Sequence, residues 1–281
     1  MQSKNIYRVH NGKARGRRMG RRIAVVSGKG GVGKTTIVAG LGMALAKNGY
    51  SVCLIDMDVG LNNLDVLLGL ENKVNYDLID CIKGRARIKQ ALVCDSCFDN
   101  LYFMPSVKYN EIDDISYSEY QSLVSKLASV FDFVLIDAPA GSGAIYNLAV
   151  SGAEEILVVV TPNVVSIRDA DKIISQIKAT EKQVSIVVNR IRGDMVARKE
   201  MLSHDQIESL LKTLVIGVIP ENDDIHIYSS YKFSKILKDE SIVPFVVLAR
   251  NLKYDKPVIF DYLSRYKGLA GLIRRKLKRS V

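Results

Sequence analysis

Residues 28–36, Gly-Lys-Gly-Gly-Val-Gly-Lys-Thr-Thr, constrain this chain more than any other stretch. They carry the spacing G-x-x-x-x-G-K-[S/T]. Before them lies an apolar run, 23–26, and after them a segment, 34–48, with Val38, Leu41 and Leu45 at helical spacing. Gly28, Gly30, Gly31 and Gly33 let successive amides turn toward one anion, and the positive end of a helix beginning near Lys34 adds to the attraction. Strand, glycine loop and helix in this order form the phosphate-binding corner of α/β nucleotide folds. The expected ligand is a nucleoside triphosphate, with Lys34 reaching the β- and γ-phosphates and the Thr35 hydroxyl on Mg²⁺. Val32 and Thr36 complete the loop. A second lysine, Lys29, sits inside it. Lys29 can contact phosphate in its own subunit, or cross a face-to-face dimer to a partner's nucleotide as an arginine finger does.

The composition suits a soluble globular body, with 48% hydrophobic and 25% charged residues. No run approaches the ~18 apolar residues of a membrane span, and the basic N-terminus lacks the apolar segment of a secretory signal. Four cysteines are too few for a disulfide scaffold. Cys94 and Cys97 have Cys-x-x-Cys spacing without a second pair or a nearby histidine, and the cytosol is the expected compartment. The net charge of +10 is concentrated at the ends: residues 1–18 hold six basic side chains and no acid, and residues 262–281 hold seven and no acid. The near-neutral middle argues against a nucleic-acid-binding face on the body.

Short apolar strand candidates at 22–26, 51–55, 100–104, 133–136, 155–160, 184–188 and 214–218 alternate with helical patterns. These patterns lie at 34–48, 75–83, 85–92, 117–130, 166–179 and 203–212, and in part of 223–238. Such runs read as a three-layer α/β domain, a mostly parallel sheet covered by helices on both faces. The expected organisation is a basic arm at 1–20, without periodicity, a phosphate-loop domain at 21–260 and a separate tail at 261–281. Translation starting at Met19, or an arm touching nucleic acid or lipid, are the two readings of the first segment. Residues 244–260 read as a mixed segment.

Two strands end in carboxylates. The run 52–55 leads into Asp56 and Asp58, which share side-chain parity if the strand continues. One is suited to hold Mg²⁺ and the other to orient attacking water. The run 133–136 ends in Asp137, a Walker-B-like position, and Gly141 and Gly143 then give a loop able to respond to the γ-phosphate. In the tail, Tyr262, Tyr266, Leu269, Ala270, Ile273 and Leu277 fall in one helical sector, with basic residues around the remainder. An amphipathic basic helix of this kind suits an anionic bilayer surface. A helix packed on the body and a nucleic-acid-binding tail are the other readings.

Together these motifs resemble the MinD branch of the deviant-Walker-A ATPases, a family that also contains the ParA partition proteins. Further points of likeness are Gly60-Leu-Asn-Asn-Leu-Asp65, Thr161-Pro162 followed by residues 166–171, Val188-Asn189-Arg190 and Gly217-Val-Ile-Pro-Glu221. The resemblance implies a Mg²⁺-dependent ATPase, slow unless stimulated, that dimerises on ATP and cycles on and off the cytoplasmic face of the cell membrane. It would help place the division septum through a MinC-like inhibitor, under a MinE-like or other topological regulator. By the same resemblance Lys29 acts across the dimer, Asp56, Asp58 and Asn63 belong to a first switch, and Asp137 to a second. Asn189 reads adenine with Arg190, Pro220 and Glu221 nearby, and Arg168, Asp169 and Asp171 lie on a partner-binding helix. Residues 228–245 keep little of the family's usual Asn-x-Gly-x-Pro stretch. That departure and the basic arm keep flagellar-placement relatives in view, and DNA-partition ATPases stand as the other alternative.

Overall fold

In each central strand the residues alternate between two apolar faces, so each strand is buried on both sides. In β1 (Arg21–Val26), Ala24 and Val26 join one core and Ile23 and Val25 the other. In β5 (Phe133–Asp137), Val134 and Ile136 separate from Phe133 and Leu135 in the same way. This pattern calls for helices on both faces. The structure, a computed structural model, describes residues 19–58, 63–105, 115–231, 233–238, 240–253 and 257–266.

The remaining strands are β2 (Val52–Asp56), β3 (Val93–Cys94), β4 (Leu101–Met104), β6 (Glu155–Val160), β7 (Gln183–Ile191) and β8 (Val215–Pro220). They form one sheet in the order β3-β4-β2-β5-β1-β6-β7-β8, parallel throughout except for β3, which pairs antiparallel with β4. All seven expected strands are present; β3 was not expected. It is two residues long, too short to leave a periodic signal. The sheet order reverses direction around β1, so the loop after β1 opens at the switch point where ligands bind in open α/β sheets.

One face carries α1 (Lys34–Lys47) and α11 (Val243–Asn251); the other carries α5 (Tyr117–Ala128), α7 (Val164–Lys178) and α9 (His204–Leu211). Shorter helices fill the connections: α2 (Asn63–Leu68), α3 (Leu78–Ile82), α4 (Ile88–Ala91), α6 (Ala144–Ser151), α8 (Gly193–Ala197) and α10 (Asp223–Tyr231). No helix among the described residues is long and apolar enough to cross a membrane.

Residues just outside both expected boundaries of the phosphate-loop domain pack on the body. Gly20, assigned to the arm, is buried and its amide donates to the Ala128 carbonyl at 2.8 Å. Tyr262, placed by periodicity on the tail's apolar face, is instead buried in the body, its hydroxyl 2.9 Å from His204 Nδ1. Asn251 anchors the approach to it, donating to the Ile216 and Val258 carbonyls and accepting from the Val258 amide. The 244–260 segment therefore contains most of α11 and, at 257–260, residues that lead to the buried Tyr262, while 254–256 lie outside the described residues. Residues 1–18 and 267–281, and with them the arm and most of the tail, lie outside the described residues.

Candidate functional site

The loop after β1 is shaped for an anion. Gly31 and Gly33 have φ of +77° and +89°, left-handed values that side chains resist, and a Cβ at Gly30 or Gly31 would meet only open space. Gly28 is different: a Cβ there would lie 2.6 Å from the backbone of Asp169, so the loop's first glycine packs directly on α7. Helix α1 starts at Lys34 with no side chain capping it and no acidic residue in its first turn. A 14-residue helix left in this state offers its first amides and dipole to a ligand. Lys34 is buried, Thr35 and Thr36 are half-buried, and Lys29 is exposed.

Beside the loop, Asp56 and Asp137 end adjacent parallel strands in direct register, each 1% exposed. Asp56 Oδ1 accepts from the Asp58 amide at 2.8 Å, but Asp56 Oδ2 and both oxygens of Asp137 have no hydrogen-bond partner among the described residues. Burial pushes the Asp137 carboxyl up to about 7, against the pull of the Thr35 hydroxyl and the Lys34 ammonium. Asp56 is raised as well, first by burial and then by the charge of Asp137. Two buried carboxylates with free oxygens beside a threonine hydroxyl fit a hard divalent cation. Among the described residues no group of three or more His, Cys, Asp or Glu side chains could hold a metal alone. Mg²⁺ suits such a sparse set, because it retains water and shares phosphate oxygens. The parity expected of Asp56 and Asp58 depends on the strand running on, and the Asp58 amide instead bonds back to Asp56 Oδ1. The strand stops at Asp56 and the chain turns, with the Met57 amide bonded to the Asp137 carbonyl, leaving Asp58 half-buried.

Asn189 ties the end of β7 to the loop. Its Nδ2 donates to the Val32 carbonyl at 2.8 Å and its Oδ1 accepts from the Arg190 amide at 3.0 Å. Arg190 has φ +57° at an irregularity in the β7–β8 pairing and is exposed. Pro220 and Glu221 line a cleft of about 660 Å³ whose walls include Arg192, Asn222, Ser241 and Tyr262 and none of residues 28–36. The Glu221 amide donates to the Ile191 carbonyl at 3.0 Å, which ties the ends of β7 and β8 together there.

Helix α7 begins at Val164, two residues before expectation, because Asn163 caps it by accepting from the Ser166 amide at 2.9 Å. Arg168 and Asp171 are exposed on it, and Asp169 is half-buried. Asn63 is the exposed first residue of α2; residues 59–62, part of the expected first switch, fall outside the described set. The Cys94–Cys97 spacing belongs to a turn in which Asp95 accepts from the amides of Cys97 and Phe98. One residue of the site escaped the sequence reading. Ser27 is fully buried between β1 and the loop, and its only sequence signal is a small hydroxyl directly before Gly28.

A family profile described as the CobQ/CobB/MinD/ParA nucleotide binding domain matches residues 23–232. The septum site-determining protein MinD of Thermotoga maritima is 40% identical over 270 residues, spanning 93% of this chain and all of that protein. The fold is similar to a chain of the MinC:MinD cell division protein complex of Aquifex aeolicus, with a TM-score of 0.77, 38% identity, and 85% and 98% of the two chains covered. MinD of Pyrococcus horikoshii, solved with Mg-ADP, aligns with a TM-score of 0.74 and 27% identity over 85% and 97% of the two chains.

Proposed function

The chain belongs to the MinD/ParA family of deviant-Walker-A ATPases, and from that premise we propose a membrane-cycling ATPase whose two subunits close over ATP. It is a MinD-like ATPase of septum placement. The observation that carries the chemistry is the Asp56–Asp137 pair, two buried carboxylates with unpartnered oxygens at the mouth of an uncapped glycine loop.

In this reading Lys34 and the loop amides, residues 28–36, hold the phosphates, and Thr35, Asp56 and Asp137 hold Mg²⁺. The cation supplies charge neutralisation on the phosphates. Asp58, half-buried at the turn, orients the attacking water. Lys29, exposed on the loop, reaches the partner's nucleotide and meets the charge that develops in transfer. Asn189 keeps one hydrogen and one lone pair beyond its local bonds, enough to meet adenine beside Arg190, Pro220 and Glu221. Arg168, Asp169 and Asp171 on α7 face partners, a MinC-like inhibitor and a MinE-like or other regulator. Residues 267–281 carry the anionic-membrane contact, which places the protein at the cytoplasmic face as a peripheral component. The basic arm at 1–18 is a second electrostatic contact.

Sedimentation with anionic vesicles tests the reading. ATP-dependent capture, absent with ADP and absent in Lys29→Ala or Lys34→Ala, is expected. Salt-sensitive, ATP-dependent binding to DNA without lipid capture would transfer the chain to the partition branch.

A further inference from the structure

One hydrogen bond holds the Lys29 backbone directly and two further contacts fix the two residues before it; Ser27 takes part in two of the three. The Ser27 hydroxyl donates to the Lys29 carbonyl at 2.7 Å, while the Ser27 carbonyl accepts from the Gly141 amide at 3.1 Å. Gly141 has φ +91° and lies in the loop that follows Asp137. Between Ser27 and Lys29, Gly28 is pressed on the α7 backbone at Asp169, so the chain cannot shift sideways there. Ser27 is fully buried, and its bond orients the peptide after Lys29 from inside the protein. A rigid root shortens the search of an exposed lysine for the one geometry in which it reaches a transferring phosphoryl group.

We propose that Ser27 is a positioning residue for hydrolysis, its hydroxyl fixing the root of Lys29 and its carbonyl linking that root to the loop after Asp137. The inference rests on the reading of Lys29 as a group acting on the phosphate.

The test is a double-mutant cycle on the full chain, measuring ATP turnover without vesicles and Mg-ADP affinity. Ser27→Ala is expected to lower kcat by about tenfold while the Mg-ADP dissociation constant stays within about twofold. Ser27→Thr, which keeps the donor, is expected to retain more turnover than Ser27→Ala. In the double variant, Ser27→Ala is expected to add nothing to the loss caused by Lys29→Ala, because the two changes act through one group. An unchanged kcat in Ser27→Ala would overturn the proposal. So would losses that multiply in the double variant, or a fall in affinity equal to the fall in kcat. Normal turnover in Lys29→Ala alone would instead sink the reading of Lys29, and the cycle separates the two failures.

Discussion

Asp137 is the residue at which stability and function oppose each other. Its folded carboxyl titrates near 7 and an unfolded one near 3.8, so between those values the folded chain binds more protons than the unfolded one. Stability attributable to this group is therefore full below about pH 4 and falls as pH rises, with the whole penalty present above about pH 7. Asp56 is raised too and acts in the same direction. Asp137→Asn is expected to raise the thermal midpoint of the nucleotide-free protein at about pH 8 and to change it little near pH 4. Turnover should fall at both. A midpoint that rises equally at both pH values would mean that the gain comes from packing. Lys34→Ala is expected to weaken Mg-ADP binding by at least about tenfold and to abolish ATP-dependent dimers, which calorimetry and native mass measurements would show. The phosphate loop and both carboxylates were legible in the sequence because glycine spacing and strand-ending aspartates are local signals. Ser27 was not, since its role comes from two hydrogen bonds, one of them to Gly141, far along the chain.

At the scale of elements, α1 shows how little its sequence reveals about its neighbours. Its residues 37–46 are buried, so it is apolar around most of its circumference, and its pattern cannot say what covers the far side. The cover is α11, from the segment that read as mixed; Pro244 inside its first turn and Ile242 before it disguised the start of a helix. Likewise α2, α6 and α8 were not expected: each spans eight residues or fewer, too short for a full amphipathic repeat. The contact between α1 and α11 is close enough to test. A Cβ at Gly40 would strike the ring of Phe245, itself fully buried and unable to swing away. Gly→Ala inside a helix ordinarily gains up to about 1 kcal/mol. Overpacking a core costs about 1–3 kcal/mol. Gly40→Ala should therefore lower the urea midpoint, and the paired change Gly40→Ala with Phe245→Leu should recover part of the loss. A midpoint raised by Gly40→Ala alone would show that α11 can yield.

At the scale of the molecule, every residue assigned to phosphate, cation or base lies at the carboxyl edge of one sheet, and Tyr262, near the start of the expected tail, lies beside that edge. Tyr262, held by His204 and packed against Gly193, lines the same cleft as Pro220 and Glu221. Because every residue assigned to phosphate, cation or base precedes Tyr266, removing residues 267–281 should leave the nucleotide site intact. One basic amphipathic segment binds lipid weakly, whereas two carried by a dimer bind as a linked pair and gain through effective concentration. The truncated protein is thus expected to hydrolyse ATP at the full-length basal rate without vesicles, and to lose both sedimentation with anionic vesicles and any vesicle-dependent stimulation. Rising salt should weaken capture of the full-length chain without abolishing it, since screening removes the charge attraction and leaves apolar insertion. Capture that persists after truncation would place the lipid contact in the basic arm at 1–18 or on the body. Capture abolished outright by moderate salt would mean that attraction at the surface, without insertion, holds the protein there.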